Sequence, residues 1–286
     1  MQVRAATPAD LDEVYELLTA RSRAAFGTSE LRRDQLARAW QLDGTDRFVA
    51  RERGLAGYAE LDAAHDVQIA ARADAVNDVL LESVATRAAE RGFDTLSAIV
   101  VPEDAPFHAL VSRAGFTHRG DVLRMWRALD GPIPPPSVPD GYTLRTFEDT
   151  DAERVHALLD DAYVTWDESY VARGHDDWLA WMTKHDEFDP AMWFLVERDG
   201  ELVGCALDWR EHDGRGWVKD IVVRSDQRGR GLGRFLLEQT FAAYAARGAR
   251  AVGLKVDSTN PTGAPELYRS AGFEIDRRYG IWTKSL

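Results

Sequence analysis

Hydrophobic and polar positions in this chain follow two alternating periods, and the whole pattern runs through twice. Val3–Ala6 begin a short strand, and Thr7-Pro8-Ala9-Asp10 starts a helix whose Leu11, Val14, Leu17 and Leu18 share one face. The pattern then predicts a polar helix over 30–41, strands over 47–51, 57–62 and 67–71, and a long helix from Ala75 to Arg91 that Gly92 stops. A strand over 95–101, a short helix over 107–113 and a strand over 122–128 complete the first set. Gly131 to Asp140 carries too many prolines for regular structure and reads as a semi-rigid linker.

The second set has the same order. A strand is expected over 142–147, a helix over 149–163 with Val155, Leu158 and Leu159 inward, and a helix over 176–184 bearing Trp178, Leu179 and Trp181. Strands follow over 192–197, 202–209 and 217–223, then a helix ending at Arg247-Gly248. A strand over 252–256, a short helix over 265–270 and two closing strands within 273–286 are expected last. Ala114-Gly115-Phe116 recurs as Ala271-Gly272-Phe273, an offset of 157, and Arg91-Gly92 recurs as Arg247-Gly248, an offset of 156. Two copies of one α/β fold are therefore expected: a domain over 1–130, a linker over 131–140 and a second domain over 141–286.

Composition narrows the chemistry. A length of 286 residues suits two domains, and 45% hydrophobic with 29% charged residues is ordinary for a globular chain. A formal net charge of −13 argues against nucleic acid or an anionic membrane as partner. There is neither a basic-then-apolar leader nor an apolar run of membrane-spanning length, so the cytoplasm is the expected compartment. The single cysteine, Cys205, sits inside the apolar run Leu202–Leu207 and reads as a core thiol. His65, His108, His118, His156, His175, His185 and His212 lack metal-ligand spacing, so no metal is expected; His175 and His212 remain candidates for an acceptor pocket.

One stretch departs from ordinary patterning. Val218 to Val223 is a β-branched run, Arg224 to Gly231 a turn rich in Arg and Gly, and Leu232 onward an apolar pattern of helical period. A helix so begun offers unpaired N–H groups and the positive end of its dipole, and glycines let an anion approach the backbone. The spacing Gly229-Arg230-Gly231-Leu232-Gly233 is not the G-x-G-x-x-G of dinucleotide folds, and no G-x-x-x-x-G-K-[ST] occurs. Arg228-x-x-Gly231-x-Gly233 after a Val-rich strand resembles the pyrophosphate loop of the GNAT acetyltransferase superfamily. Val256 to Phe273, with Asn260 at a strand exit and Tyr268 on the next helix, is similar to the segment that follows that family's fifth strand.

The resemblance spans residues 142–286 and implies two tandem GNAT-like domains, each a mixed, mostly antiparallel sheet flanked by helices. It implies acetyl-CoA as co-substrate, held by Ile221, Val222, Val223, Arg228, Gly229, Arg230, Gly231, Leu232, Gly233, Arg234 and Asn260. Tyr268 would protonate the departing thiolate, and a splayed strand would present backbone groups to the pantetheine arm and one N–H to the acetyl carbonyl. The acceptor implied is a small-molecule primary amine that attacks directly, with no acyl-enzyme. The tandem arrangement is similar to double GNAT proteins of the mycothiol synthase type. A protein N-terminus or lysine as acceptor, and a non-catalytic acyl-CoA sensor, stay open as alternatives, as do monomer and homodimer.

The base is not assigned by the sequence. The registers where the family often carries Glu, Asp or His hold Trp217 and Lys219, which read as substrate-contacting residues. Asp220 belongs to the opposite strand face unless a bulge turns it, and Asp167 and Glu168 could act through water. In the first copy Ala73, Ala75 and Asn77 replace Gly229, Gly231 and Gly233, and Val111 replaces Tyr268, so that copy reads as degenerate.

Overall fold

The structure, a computed structural model, describes all residues except 42–43, 165–171 and 211–213. In chain order the elements are β1 (Gln2–Ala5), α1 (Leu11–Phe26), α2 (Arg33–Ala39), β2 (Asp46–Arg51), β3 (Leu55–Leu61), β4 (Val67–Ala71), α3 (Asp74–Glu90), β5 (Thr95–Val100), α4 (Ala105–Arg113) and β6 (Thr117–Ala128). The second series is β7 (Thr143–Thr146), α5 (Ala152–Val164), α6 (His175–Thr183), β8 (Phe188–Arg198), β9 (Glu201–Arg210), β10 (Gly216–Val223), α7 (Leu232–Ala246), β11 (Ala251–Asp257), α8 (Ala264–Ser270) and β12 (Glu274–Ser285). Two compact units result, residues 1–122 with 278–286, and residues 123–277. The division falls within β6 and β12 rather than in the proline-rich stretch 131–140.

In the first unit β1 to β4 form an antiparallel sheet in sequence order. Side chains alternate across it as strand geometry requires. Ala59, Leu61 and Ile69 meet Leu80 and Val84 of α3, whereas Val49, Tyr58 and Ala70 meet Val14 and Leu17 of α1. The C-terminal residues Gly280 to Ser285 pair antiparallel with β5, from Gly280↔Val100 to Ser285↔Thr95. The two expected closing strands are in fact one, β12. Gly280 marks no turn there, since a Cβ on it would lie 2.8 Å from the Trp282 indole nitrogen and 3.2 Å from His118.

In the second unit the strand order is β6-β11-β10-β9-β8-β7. Val203, Ala206 and Val218 pack against Leu236 and Phe241 of α7, while Leu195, Cys205 and Leu207 pack against Val155, Leu159 and Trp178 of α5 and α6. Burying each such Leu, Val or Phe side chain stabilises the fold by about 1.5–3 kcal/mol. Residues 131–140 form no helix or strand, but Ile133 leans on the second unit's core.

Each sheet is tied to its first helix by the same device. Arg4 donates to both oxygens of Asp10 at 2.7 Å, and Arg145 to both oxygens of Asp151 at 2.6 Å. Asp10 also accepts from the Thr7 amide, and Asp151 from the Glu148 amide, closing the turn that starts the helix. The guanidinium partners and these amides hold the Asp10 carboxyl well below the usual carboxylate range and lower that of Asp151.

Candidate functional site

The second unit's sheet opens along β10. β10 pairs with β11 only at Gly216↔Val252 and Trp217↔Gly253, and then the two strands part. On its other side β10 remains paired with β9 as far as Val223↔Gly204. A cleft of about 470 Å³ follows the parting, lined by Val218–Val223 of β10, Leu254–Asp257 of β11, the loop into α7, and α8. Backbone groups of β10 that would have bonded β11 thus face open space, a cost the sheet bears only where something else pairs with them.

The cleft ends at the N-terminus of α7. Gly229 and Gly231 have φ of +74° and +82°, which favours glycine, and a Cβ at either would meet no atom within 4 Å. The first intrahelical bond is Phe235 N–H to Gly231 O at 2.9 Å, so the amides before Phe235 have no partner within the helix. The fifteen-residue helix adds the positive end of its dipole. An anion can reach this backbone unobstructed, which fits the pyrophosphate of acetyl-CoA.

Of the residues expected at a coenzyme, Ile221, Val222, Val223, Arg228, Gly229, Gly231, Leu232, Gly233, Arg234 and Asn260 line this cleft, as do Tyr268 and Lys219. Arg230 is exposed and outside the lining, and Trp217 lies where the strands are still paired, its indole edge-on to Trp126 at 5.6 Å. Arg228 donates to the Val223 carbonyl at 3.0 Å; Arg234 is held by Glu238 at 2.7 Å and the Ser270 carbonyl at 2.9 Å. Asn260 spends its carbonyl oxygen on a turn, accepting from the Thr262 amide at 2.9 Å.

Tyr268 is buried beside Phe273, ring centroids 5.9 Å apart. Burial first, and the negative charge of Asp220 second, push its phenol pKa above the ordinary value, so it stays protonated. Cys205 is fully buried and burial raises its thiol pKa well above normal, which removes it as a nucleophile. His175 begins α6 with its ring against His156 and Trp178 and does not line the cleft. Asp167, Glu168 and His212 lie outside the described residues.

Two lining residues have no sequence signal, Ala162 and Tyr163 at the end of α5. Periodicity reads them as ordinary helix positions, and only the approach of α5 to β10 brings them to the cleft.

The first unit carries an arginine at the corresponding place. Among its described residues Asp66, just before β4, makes an isolated parallel bridge to Ser97 of β5, the counterpart of Trp217↔Gly253 at the 156-residue offset from Ser97 to Gly253. Gly57, opposite Ala71, lies under Leu80, just as Gly204, opposite Val223, lies under Leu236. Ile69 therefore matches Ile221, and Asp104 matches Asn260 at the same 156-residue offset. From α1, Arg21 donates to the Ile69 carbonyl and to Asp104, the latter at 2.6 Å, and its guanidinium covers Phe107 at 4.9 Å. Counted from the paired anchors Asp10 and Asp151, an offset of 141, Arg21 matches Ala162. Arginine fills the position in one unit; alanine leaves it open in the other.

The sequence profile of the acetyltransferase (GNAT) family matches residues 152–273. A protein of Thermomonospora curvata named mycothiol acetyltransferase is 35% identical over 245 residues, which cover 79% of this chain and 77% of that one. This chain belongs to the GNAT acetyltransferase family. As a member it is an acetyl-CoA-dependent N-acetyltransferase. A GCN5-related N-acetyltransferase from Sphaerobacter thermophilus matches 99% of this chain and 95% of its own, with a TM-score of 0.75 at 27% identity. A tandem GNAT protein from the clavulanic acid biosynthesis pathway matches 99% and 98%, with a TM-score of 0.74 at 20% identity, and shares the tandem GNAT-like fold. No described helix is long and apolar enough to cross a membrane.

Proposed function

We propose that the second unit alone binds acetyl-CoA and transfers its acetyl group to a small-molecule primary amine by direct attack. The observation that carries this reading is the parting of β10 from β11 directly upstream of the open N-terminus of α7. Ile221 to Val223 offer backbone donors and acceptors to the amides of a pantetheine arm, and one N–H polarises the acetyl carbonyl. The Gly229–Gly233 amides take the pyrophosphate. Tyr268 gives its phenol proton to the sulfur as the C–S bond breaks, and the amine nitrogen replaces that bond with C–N. Arg21 occupies the matching place in the first unit, which supports a structural role for that unit.

The relatives' name points to an acceptor of the mycothiol kind, a small amine. Thiol release from acetyl-CoA across a panel of small amines, protein N-terminal peptides and lysine peptides tests the reading. Turnover with small amines is expected. Turnover with peptides only, or tight coenzyme binding without any turnover, overturns it.

A further inference from the structure

The acetyl-transfer reading leaves one step without a group, removal of the acceptor's proton. Strand β10 carries a bulge: Val218 pairs with Asp208 and Asp220 with Leu207, so Lys219 is an extra residue. In a regular strand neighbouring side chains point to opposite faces. Here Lys219 Nζ lies 3.3 Å from Asp220 Oδ2, and both residues line the cleft. A bulge re-aims side chains in this way. Asp220 is 7% exposed, and its other oxygen accepts from the Tyr163 phenol of α5 at 2.5 Å.

Among the described lining residues the only other carboxylate is Asp257, and it is committed to a turn. One of its oxygens accepts from the Thr259 amide and hydroxyl, both at 2.7 Å. Lys219 is a cation and cannot take a proton while charged. The groups facing Asp220 are Tyr163 from α5, Lys219 from β10, Tyr268 from α8 and Cys205 from β9. Tyr268 and Cys205 stay protonated, for the reasons given above.

We propose that Asp220, turned into the cleft by the bulge at Lys219 and held by Tyr163, is the catalytic base for the acceptor amine. The proposal rests on the acetyl-transfer reading. The acceptor arrives as an ammonium, and its positive charge draws it to the carboxylate. Asp220 takes one N–H proton and becomes a neutral acid, and the freed lone pair forms the C–N bond at the acetyl carbon. The C–S pair leaves on sulfur and collects the Tyr268 proton, and the second proton lost by nitrogen restores the phenol. Asp220 then returns its proton to solvent. Per turnover one ammonium and one thioester become one amide, one thiol and one released proton. Tyr163 is a positioning residue, which fixes the carboxylate without touching the reacting atoms.

The test is kcat/KM against pH for the full chain with an accepted amine, alongside acetyl-CoA affinity by calorimetry. Asp220→Asn keeps the shape of the side chain. It should lose about 10²- to 10⁴-fold in kcat/KM at neutral pH, the range for losing a general base, with coenzyme affinity within about threefold. Its activity should then climb about tenfold per pH unit as the free-amine fraction of the acceptor grows, a rise a merely structural residue would not produce. Tyr163→Phe should lose about tenfold in kcat/KM, with coenzyme affinity kept. Asp220→Asn turnover within about threefold of wild type overturns the proposal, and so does loss of coenzyme binding in that variant. A wild type that binds acetyl-CoA but acetylates no amine overturns the transfer reading itself, and Asp220's role with it.

Discussion

The contrast between Arg21 and Ala162 can be moved from one unit to the other. Ala162→Arg combined with Asn260→Asp would give the second unit the cation and carboxylate that the first unit carries at Arg21 and Asp104. In the first unit the Arg21 side chain is 21% exposed and that of Asp104 9%, so the pair is only partly screened. A coenzyme entering the altered cleft would have to break two charge-assisted bonds, one to a carboxylate and one to the Ile221 carbonyl. At about 1.5–3 kcal/mol for each hydrogen bond to a charged group, that is roughly 3–6 kcal/mol. At about 1.4 kcal/mol per factor of ten, the acetyl-CoA dissociation constant should rise by some two to four orders of magnitude. Calorimetric titration measures this, with far-UV circular dichroism and Tm as controls for folding. Ala162→Leu adds volume without charge and separates the electrostatic part from the steric part. A folded double variant that binds acetyl-CoA as wild type does would refute the correspondence between Arg21 and Ala162.

Two further outcomes follow from single side chains. Tyr268→Phe removes one oxygen from a buried ring; acetyl-CoA affinity should hold while kcat falls about 10- to 10⁴-fold, as steady-state kinetics on an accepted amine would show. Unchanged kcat with chemistry limiting would assign the acid elsewhere. Asp208 is fully buried, with Thr240 donating to one oxygen at 2.8 Å, and burial pushes its pKa well above the ordinary value. The folded state therefore keeps a proton that the unfolded state releases above its ordinary pKa of 3.8, so the native protein loses stability as pH rises from there toward the folded pKa. Asp208→Asn removes that dependence. Its advantage in urea unfolding should widen by up to about 1.4 kcal/mol per pH unit over that window, and an advantage that shrinks with rising pH would show the sign to be wrong.

What was legible in the sequence was local. The β10–loop–α7 stretch announces itself because β-branched period, glycine at positive φ and helical period all fall within some twenty consecutive residues. Asn260 and Tyr268 are expected only from the family resemblance of Val256 to Phe273, and both line the cleft. Features that depend on chain meeting chain were not. The bulge at Lys219 is a matter of register against β9, and nothing near Asp220 in sequence signals that its carboxylate reaches Tyr163, 57 positions earlier. Arg21 looks like a solvent-facing helix residue until Ile69 and Asp104 come to it. Two closing strands are expected within 273–286, whereas the chain runs through as the single β12, with Gly280 lying so close to the indole of Trp282 that a Cβ would not fit. The proline-rich stretch marks a real break in regular structure. The two compact units part elsewhere: β12 ends paired with β5, and the Leu129 amide bonds the Arg250 carbonyl at 2.9 Å.

The central claim is that one cleft, in the second unit, binds the coenzyme through bare backbone. Calorimetry of acetyl-CoA against the full chain and against Gly231→Glu tests it most directly. Gly231 has φ +82°, and a glutamate there would strain the backbone and set a carboxylate where the pyrophosphate must sit. The account predicts one coenzyme per wild-type chain and none for the folded variant. Two coenzymes per chain, or undiminished binding to Gly231→Glu, would contradict it.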